Sequence, residues 1–393
     1  MKEKDIILEI PYGTRDFLPG EAARKREIET RISSIFTLFG YDEVVTPTIE
    51  YLSTLTTEGE AIEPHLFKFF DKQNRTLALR HEMTTPIARV VASRMRGEPL
   101  PIRLSYVSNV CRYEEAQAGR QCEFYQAGVE LMGSSSPAAD AEVIALAATC
   151  IKDAGLKDFQ ICLGNVKFIN GLMKDFGLDT SEQDEIRRMM EKHDLVGLRG
   201  TLGGTSLDDG QREVLASLPL LHGGDEVIER ARGIAANDES REALGNLMEI
   251  YRLLKSYGVD EFVYFDLGVI RDFSYYTGMV FEAYTPGLGF PLAGGGRYDR
   301  LLSDFGSPCP ATGFALGIER LMLALEREGR YAERHAGGVF IAYAEGKRDE
   351  AIREATRYRS EGIAASLATS PMSEAEANDC PLRRRYESLA YIK

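Results

Sequence analysis

Apolar residues at Ile28, Ile32, Ile35 and Phe39 recur at helical spacing and predict an amphipathic helix from about Glu21 to Phe39, with Gly40 as its C-terminal cap. Tyr41 to Val45 reads as a short strand that ends before Pro47. Phe67–Lys72 and Leu77–Arg80 predict a hairpin leading into His81-Glu82-Met83-Thr84-Thr85-Pro86, where Pro86 sits near the start of a helix running to about Met95. The longest β signal spans Leu104 to Gly133, two runs flanking Ala116-Gln117-Ala118-Gly119. Ala138 to Ala154 is amphipathic and helical, and Phe159 to Leu163 is a strand. From about Asn165 to Gly258 the pattern is mostly helical, with loops expected at His193–Gly204 and His222–Gly224. Strand character returns at Phe262–Leu267 and again up to Tyr284, and Thr312–Leu321 reads as a strand entering a helix. The tail predicts a strand over Gly338–Tyr343, a helix over Arg348–Glu361 and a strand over Ile363–Leu367, the beginning of a small α/β unit. Hairpins mixed with helices in this way define an α+β chain.

The polar positions inside the long hairpin carry the candidate chemistry. Side chains alternate along a strand, so Cys122, Phe124, Gln126, Gly128 and Glu130 share one face. With Arg112 and Glu114 on the other run, that face is costly to bury without partners. It is therefore either a solvated sheet face or the floor of a pocket for a charged small molecule. Glu82 and Thr84 stand at a helix start, where a carboxylate either interacts with the helix dipole or serves a site. Tyr275-Tyr276 read alone is strand packing. Gly294-Gly295-Gly296 has neither dinucleotide-binding nor Walker spacing, and its use is a tight turn or close approach. His193 and His222 are isolated loop or surface residues, and Arg383-Arg384-Arg385 either touches RNA or forms a solvated helix face.

Composition narrows the class. At 393 residues and 44% hydrophobic content the chain has ample core for one large domain plus one or two smaller ones. A formal charge of -14 argues against a dominant nucleic-acid footprint, and the helical block has no dense basic stripe interleaved with aromatics. The six cysteines have neither metal-ligand spacing nor disulfide-scaffold density, so free thiols and no metal are expected. Neither a signal peptide nor a membrane-spanning run is present, which places the expected location in the cytoplasm.

The hairpin resembles the second signature motif of class II aminoacyl-tRNA synthetases, most closely that of histidyl-tRNA synthetase. It is also similar to that of the non-synthetase relatives that serve as regulatory subunits of ATP phosphoribosyltransferase. The first helix, its strand and Pro47 resemble the first class II motif, which implies a homodimer; Thr312–Leu321 matches the third. Val269–Tyr284 and Leu292–Asp299 are similar to the histidine-specific segments. The resemblance implies an antiparallel class II core over residues 1–325 with a helical insertion at 165–258, a linker at 326–337 and a shortened α/β domain at 338–393. It implies a histidine site built from Glu82, Thr84, Gln126, Glu130, Arg271, Tyr275 and Tyr276, with Arg112 and Arg320 at relic ATP-binding positions. Arginine forks suit phosphate, and carboxylates suit an ammonium or imidazolium.

Three departures bear on activity. Gly119-Arg120-Gln121-Cys122 stands where histidyl enzymes carry a second arginine, and an even-with-even register would set Cys122 opposite Arg112. Arg271-Asp272-Phe273-Ser274 replaces Arg-Gly-Leu-Asp, bringing a carboxyl beside the phosphate-facing arginine. The C-terminal module is shorter than an anticodon-binding domain. The resemblance with these departures implies a non-catalytic regulatory subunit in histidine biosynthesis. It would bind histidine, need no cofactor or transfer RNA, and activate and feedback-inhibit a short-form ATP phosphoribosyltransferase within a hetero-octamer. The alternative is an active histidyl-tRNA synthetase, since all three arginines are kept; a homodimer sensing histidine for another partner is a third reading.

Overall fold

The computed structural model describes residues 8–57, 60–113, 121–269, 275–330 and 337–393. The hairpin turn at 116–119, Glu114, and the Arg271-Asp272-Phe273-Ser274 segment lie outside the described residues. Two compact units divide the chain, Met1–Arg330 and Tyr331–Lys393.

The first unit is built on a nine-stranded sheet. Its order is Asp42–Glu43, Ile102–Cys111, Glu123–Met132, Ala311–Gly317, Ala293–Arg297, Met279–Tyr284, Gln160–Asn165, Val263–Asp266 and His222–Gly223. All neighbours are antiparallel except the first pair and the Gln160–Asn165 and Val263–Asp266 pair. This is the mostly antiparallel α+β architecture of the class II fold. The long hairpin is in the even-with-even register, pairing Leu104 with Glu130, Tyr106 with Gly128 and Ser108 with Gln126.

Close approach of these strands depends on glycine. A Cβ at Gly128 would lie 2.2 Å from the Phe314 carbonyl oxygen and 2.4 Å from the Tyr106 hydroxyl. The Tyr106 ring therefore lies across a bare backbone, completely buried. At Gly296 a Cβ would lie 2.8 Å from the Tyr276 ring, so the glycine run belongs to a central strand rather than a turn.

Helices cover the sheet. Pro19–Leu38 buries Ile28, Ile32, Ile35 and Phe36, so its inward stripe ends on Phe36 while Phe39 is only half-buried at the C-terminal cap. The helix Pro137–Asp153 is apolar almost all round because it is sandwiched, packing on the sheet and on Asp238–Tyr257. Two expected loops are ordered instead. Leu195–Gly203 is a helix, capped by Asp194 accepting from the Gly197 N–H and burying Leu198 and Leu202 one turn apart. His222–Gly223 is a short strand that pairs with Val263–Asp266 and closes the sheet. In both places glycines mask the pattern that tertiary pairing fixes.

The second unit has a third strand beyond the expected pair: Ser388–Ile392 joins Val339–Tyr343 on the edge opposite Ala365–Leu367, all parallel. Arg383-Arg384-Arg385 lies in a 3-10 turn, not on an α-helix. All six cysteines are free thiols. No helix among the described residues is long and apolar enough to cross a membrane, and no cluster there could hold a metal.

One buried ion network ties the layers together. Arg297, at the end of the glycine strand, reaches Asp140 on the Pro137–Asp153 helix at 2.8 Å, Asp299 at 3.0 Å and the Ser134 carbonyl at 2.9 Å. Asp140→Ala leaves this guanidinium short of a partner and should cost about 3 kcal/mol or more. Chemical denaturation checks this, and a loss below about 1 kcal/mol would mean that Asp299 suffices.

Candidate functional site

A cavity of about 410 Å³ opens over the face of the hairpin that carries Gln126 and Glu130. Its inner end is acidic. Glu82 and Glu130 are both buried, and one residue joins them. The Thr84 N–H donates to Glu82 Oε2 at 2.5 Å while the Thr84 hydroxyl donates to Glu130 Oε1 at 2.8 Å. The Thr85 N–H also donates to Glu82, at 3.0 Å. Glu82 thus satisfies the first turn of the helix Thr84–Arg94 and also lines the cavity.

The Tyr298 hydroxyl donates to the other oxygen of Glu130. No ion pair among the described residues reaches either carboxylate. Burial, opposed by the Tyr298 and Thr84 hydrogen bonds and aided by the neighbouring Glu82, pushes the Glu130 carboxyl up to about 8. Burial likewise raises Glu82 against its hydrogen bonds from Thr84 and Thr85. Tyr106 and Tyr298 are raised well above the ordinary tyrosine value by burial and by Glu130.

Aromatic rings wall the same end. Tyr275 stands 4.8 Å from Tyr276 and edge-on to Tyr298 at 5.6 Å between ring centroids. They are held by the strand behind them: the Thr277 N–H donates to the Arg297 carbonyl at 2.7 Å, and the Asp299 N–H to the Thr277 hydroxyl at 2.9 Å. The Gly-Gly-Gly-Arg-Tyr-Asp run is therefore a socket for the tyrosine segment.

Two described arginines line the same cavity. Arg112 sits over the Phe124 ring, 5.5 Å from its centroid, and donates to the His81 carbonyl at 2.8 Å. Arg320 sits over Phe290, 5.1 Å from its centroid, and donates to the Pro291 carbonyl at 2.8 Å. The hairpin register sets Arg112 opposite Cys122, whose side chain packs against Gly13. Of the expected site residues, Glu82, Thr84, Arg112, Gln126, Glu130, Tyr275, Tyr276 and Arg320 line this one cavity; Arg271 lies outside the described residues.

Tyr298 and Tyr106 were not singled out from the sequence, though the first falls inside the glycine motif and the second alternates onto the pocket face. Glu191 and His193, from the helical stretch between Asn165 and Gly258, also line the cavity. No local pattern announces them, because only the fold brings that corner over the sheet.

Sheet order, hairpin pocket and the strand entering the Ile318–Arg327 helix define a class II synthetase-like protein of the histidyl type. The histidyl-tRNA synthetase family model matches residues 13–321. The chain is 45% identical to the ATP phosphoribosyltransferase regulatory subunit of Moorella thermoacetica over 377 residues, 95% of each chain. A solved structure from Bacillus halodurans, described as an ATP phosphoribosyltransferase regulatory subunit/histidyl-tRNA synthetase, is 38% identical with a TM-score of 0.88 over 99% of this chain and all of that one. Histidyl-tRNA synthetase from Nostoc sp. PCC 7120 shares the fold with a TM-score of 0.84 at 18% identity. The chain belongs to the family of ATP phosphoribosyltransferase regulatory subunits.

Two buried acids in one cavity carry a stability cost that depends on pH. The folded chain holds a proton on Glu130 up to about pH 8 that the unfolded chain releases near 4.5, so this group's contribution to stability falls as pH rises between those values. Glu130→Gln should therefore melt progressively higher relative to wild type as the pH rises from about 5 to about 8. Thermal melts of the ligand-free chains check the trend; a constant difference would mean that Glu130 ionises as an ordinary carboxyl.

Proposed function

We propose that the chain is a non-catalytic regulatory subunit. It binds histidine in this cavity, activates a short-form ATP phosphoribosyltransferase catalytic subunit, and makes that partner sensitive to feedback inhibition by histidine. The observation that carries the reading is the Glu82–Thr84–Glu130 bridge: buried carboxylates beside tyrosine rings suit a small ligand bearing an ammonium and an imidazole. Glu82 and Thr84 receive the ammonium, while Glu130, Tyr275 and Tyr276 enclose the ring. Gln126, half-buried on the same strand face, supplies an adjustable amide. Arg271 takes the ligand carboxylate by resemblance to the family motif.

The name of the Moorella thermoacetica relative supports the regulatory assignment, and coverage of 95% of both chains leaves no large part of either unmatched. Arg112 and Arg320 hydrogen-bond to backbone carbonyls, a use of the guanidinium that requires no phosphate. They are relics of an ATP site in this reading, and the condensation of ATP with phosphoribosyl pyrophosphate belongs to the partner. A cytoplasmic homodimer inside a hetero-octamer is the proposed assembly. Exposed Leu38 and Val45 in the first motif are apolar surface that a second copy would cover.

Inhibition by histidine requires that it bind the active and inhibited assemblies with different affinities. The decisive experiment is transferase activity of a purified short-form catalytic subunit with and without this chain, titrated with histidine. Activation followed by histidine inhibition is expected, with no charging of histidine transfer RNA; charging would favour the synthetase alternative. Glu130→Ala should abolish histidine inhibition while leaving the stimulation largely intact. Unchanged histidine sensitivity in that variant would remove the pocket assignment.

A further inference from the structure

We propose that ligand uptake in this pocket is an exchange of a proton for a cation at Glu130. The ligand-free site holds one proton on this carboxyl, and the arriving cationic ligand expels it. The inference rests on the histidine-binding reading and concerns how that same site is regulated.

The geometry is a cluster of acids with no cationic side chain bonded to either carboxylate among the described residues. Glu82 and Glu130 are both buried, both face one cavity and are both hydrogen-bonded to Thr84. Two carboxylates in such a site resist simultaneous ionisation, because each charge is desolvated and the negative charge on one makes ionisation of the other harder. Glu82 accepts two N–H groups at a helix start, which favours its charged form. Glu130 accepts only hydroxyls, from Thr84 and Tyr298, and is the better place for the proton.

Among the described residues, the groups that act on Glu130 besides burial are Tyr298, Thr84 and Glu82, none of them a cation; Arg112, Arg320 and His193 line the same cavity. Tyr41, Tyr106 and Tyr298 each feel it as a negative neighbour, and Tyr276 acts on the two buried tyrosines beside it. Arg112 acts on Tyr106. The upward shift of Glu130, caused first by burial, agrees with this geometry.

In the exchange the Glu130 O–H bond breaks. Its proton passes to solvent, and the carboxylate left behind faces the positive charge of the ligand. No oxidant or further reactant is needed. Such a site would grip its ligand less firmly in more acidic surroundings, where the proton competes better.

Infrared difference spectroscopy of the full chain tests the exchange, with binding followed in parallel by calorimetry and isotopically labelled histidine separating ligand bands from protein bands. The ligand-free chain at neutral pH should show one carbonyl stretch of a protonated carboxylic acid per site. That band should titrate away near pH 8 and be missing in Glu130→Gln. Saturating histidine should remove it at neutral pH. Tyr298→Phe, which deletes a donor to the ionised form, should move the titration to higher pH.

Histidine binding with no such band in the ligand-free chain, or with a band that persists on saturation, overturns the exchange and leaves the binding reading intact. Absence of any binding heat or histidine-induced spectral change overturns the binding reading itself, and the exchange with it.

Discussion

Thr84 holds two buried carboxylates at once, and the structure around it exists to make that contact possible. Its N–H satisfies Glu82 at the start of one helix, and its hydroxyl reaches Glu130 on a strand forty-six positions further along the chain. Neither acid would be tolerated in an apolar core without such donors, since an unpaired buried charge costs more than most single contacts return. The hairpin register follows from this requirement. A slip of one residue would turn Glu130 into the opposite face and present Val129 or Leu131 to the cavity.

Holding the pocket open over a packed sheet demands thin backbone at chosen places. Gly128 lets the Tyr106 ring lie against the hairpin, and Gly296 does the same for Tyr276. Behind them Arg297 and Asp140 form a buried ion pair that fixes the end of the glycine strand against a helix. Such pairs add little net stability compared with apolar residues of the same shape. Here the pair has a use beyond stability: the Arg297 backbone carbonyl pins Thr277, and with it the two tyrosines. Rigidity of the aromatic wall and burial of the ion pair are one feature seen from two sides.

Much of this was legible in the chain. The even-numbered polar face of the hairpin, the helix opening near Pro86 and the strand entering a helix within Thr312–Leu321 all follow from periodicity and local cues. The family resemblance supplied what periodicity does not: that these distant segments converge. Leu195–Gly203 was hidden because its glycines lower helix propensity, and its order comes from burying Leu198 and Leu202. The stripe of the first helix ends on Phe36 and not Phe39 because the helix stops at Leu38 and Phe39 is its C-cap residue, while Phe36 lies one turn beyond Ile32 on the buried face. Tyr298 escaped notice because a tyrosine inside a glycine motif carries no periodic signal; only its hydroxyl's contact with Glu130 reveals it. Glu191 and His193 belong to a part of the chain whose approach to the cavity is purely tertiary.

That last placement limits how occupancy of the cavity can be felt elsewhere. A ligand shifts a conformational equilibrium only through elements it touches differently in the two states. Most of the cavity floor consists of strands hydrogen-bonded to neighbours on both sides, such as Glu123–Met132 between Ile102–Cys111 and Ala311–Gly317. These are poor candidates for movement, because shifting one breaks two ladders. Among the described residues, the elements free of that constraint include the first turn of the helix beginning at Thr84, the loop at 289–292 and the corner carrying Glu191 and His193. The first is bound directly to both carboxylates, so a change in charge at Glu130 alters a hydrogen bond that Thr84 shares with Glu82. A regulatory signal that begins at the acidic end of this cavity therefore has its shortest physical outlet through Thr84 and the helix it opens, and not through the sheet on which the site is built.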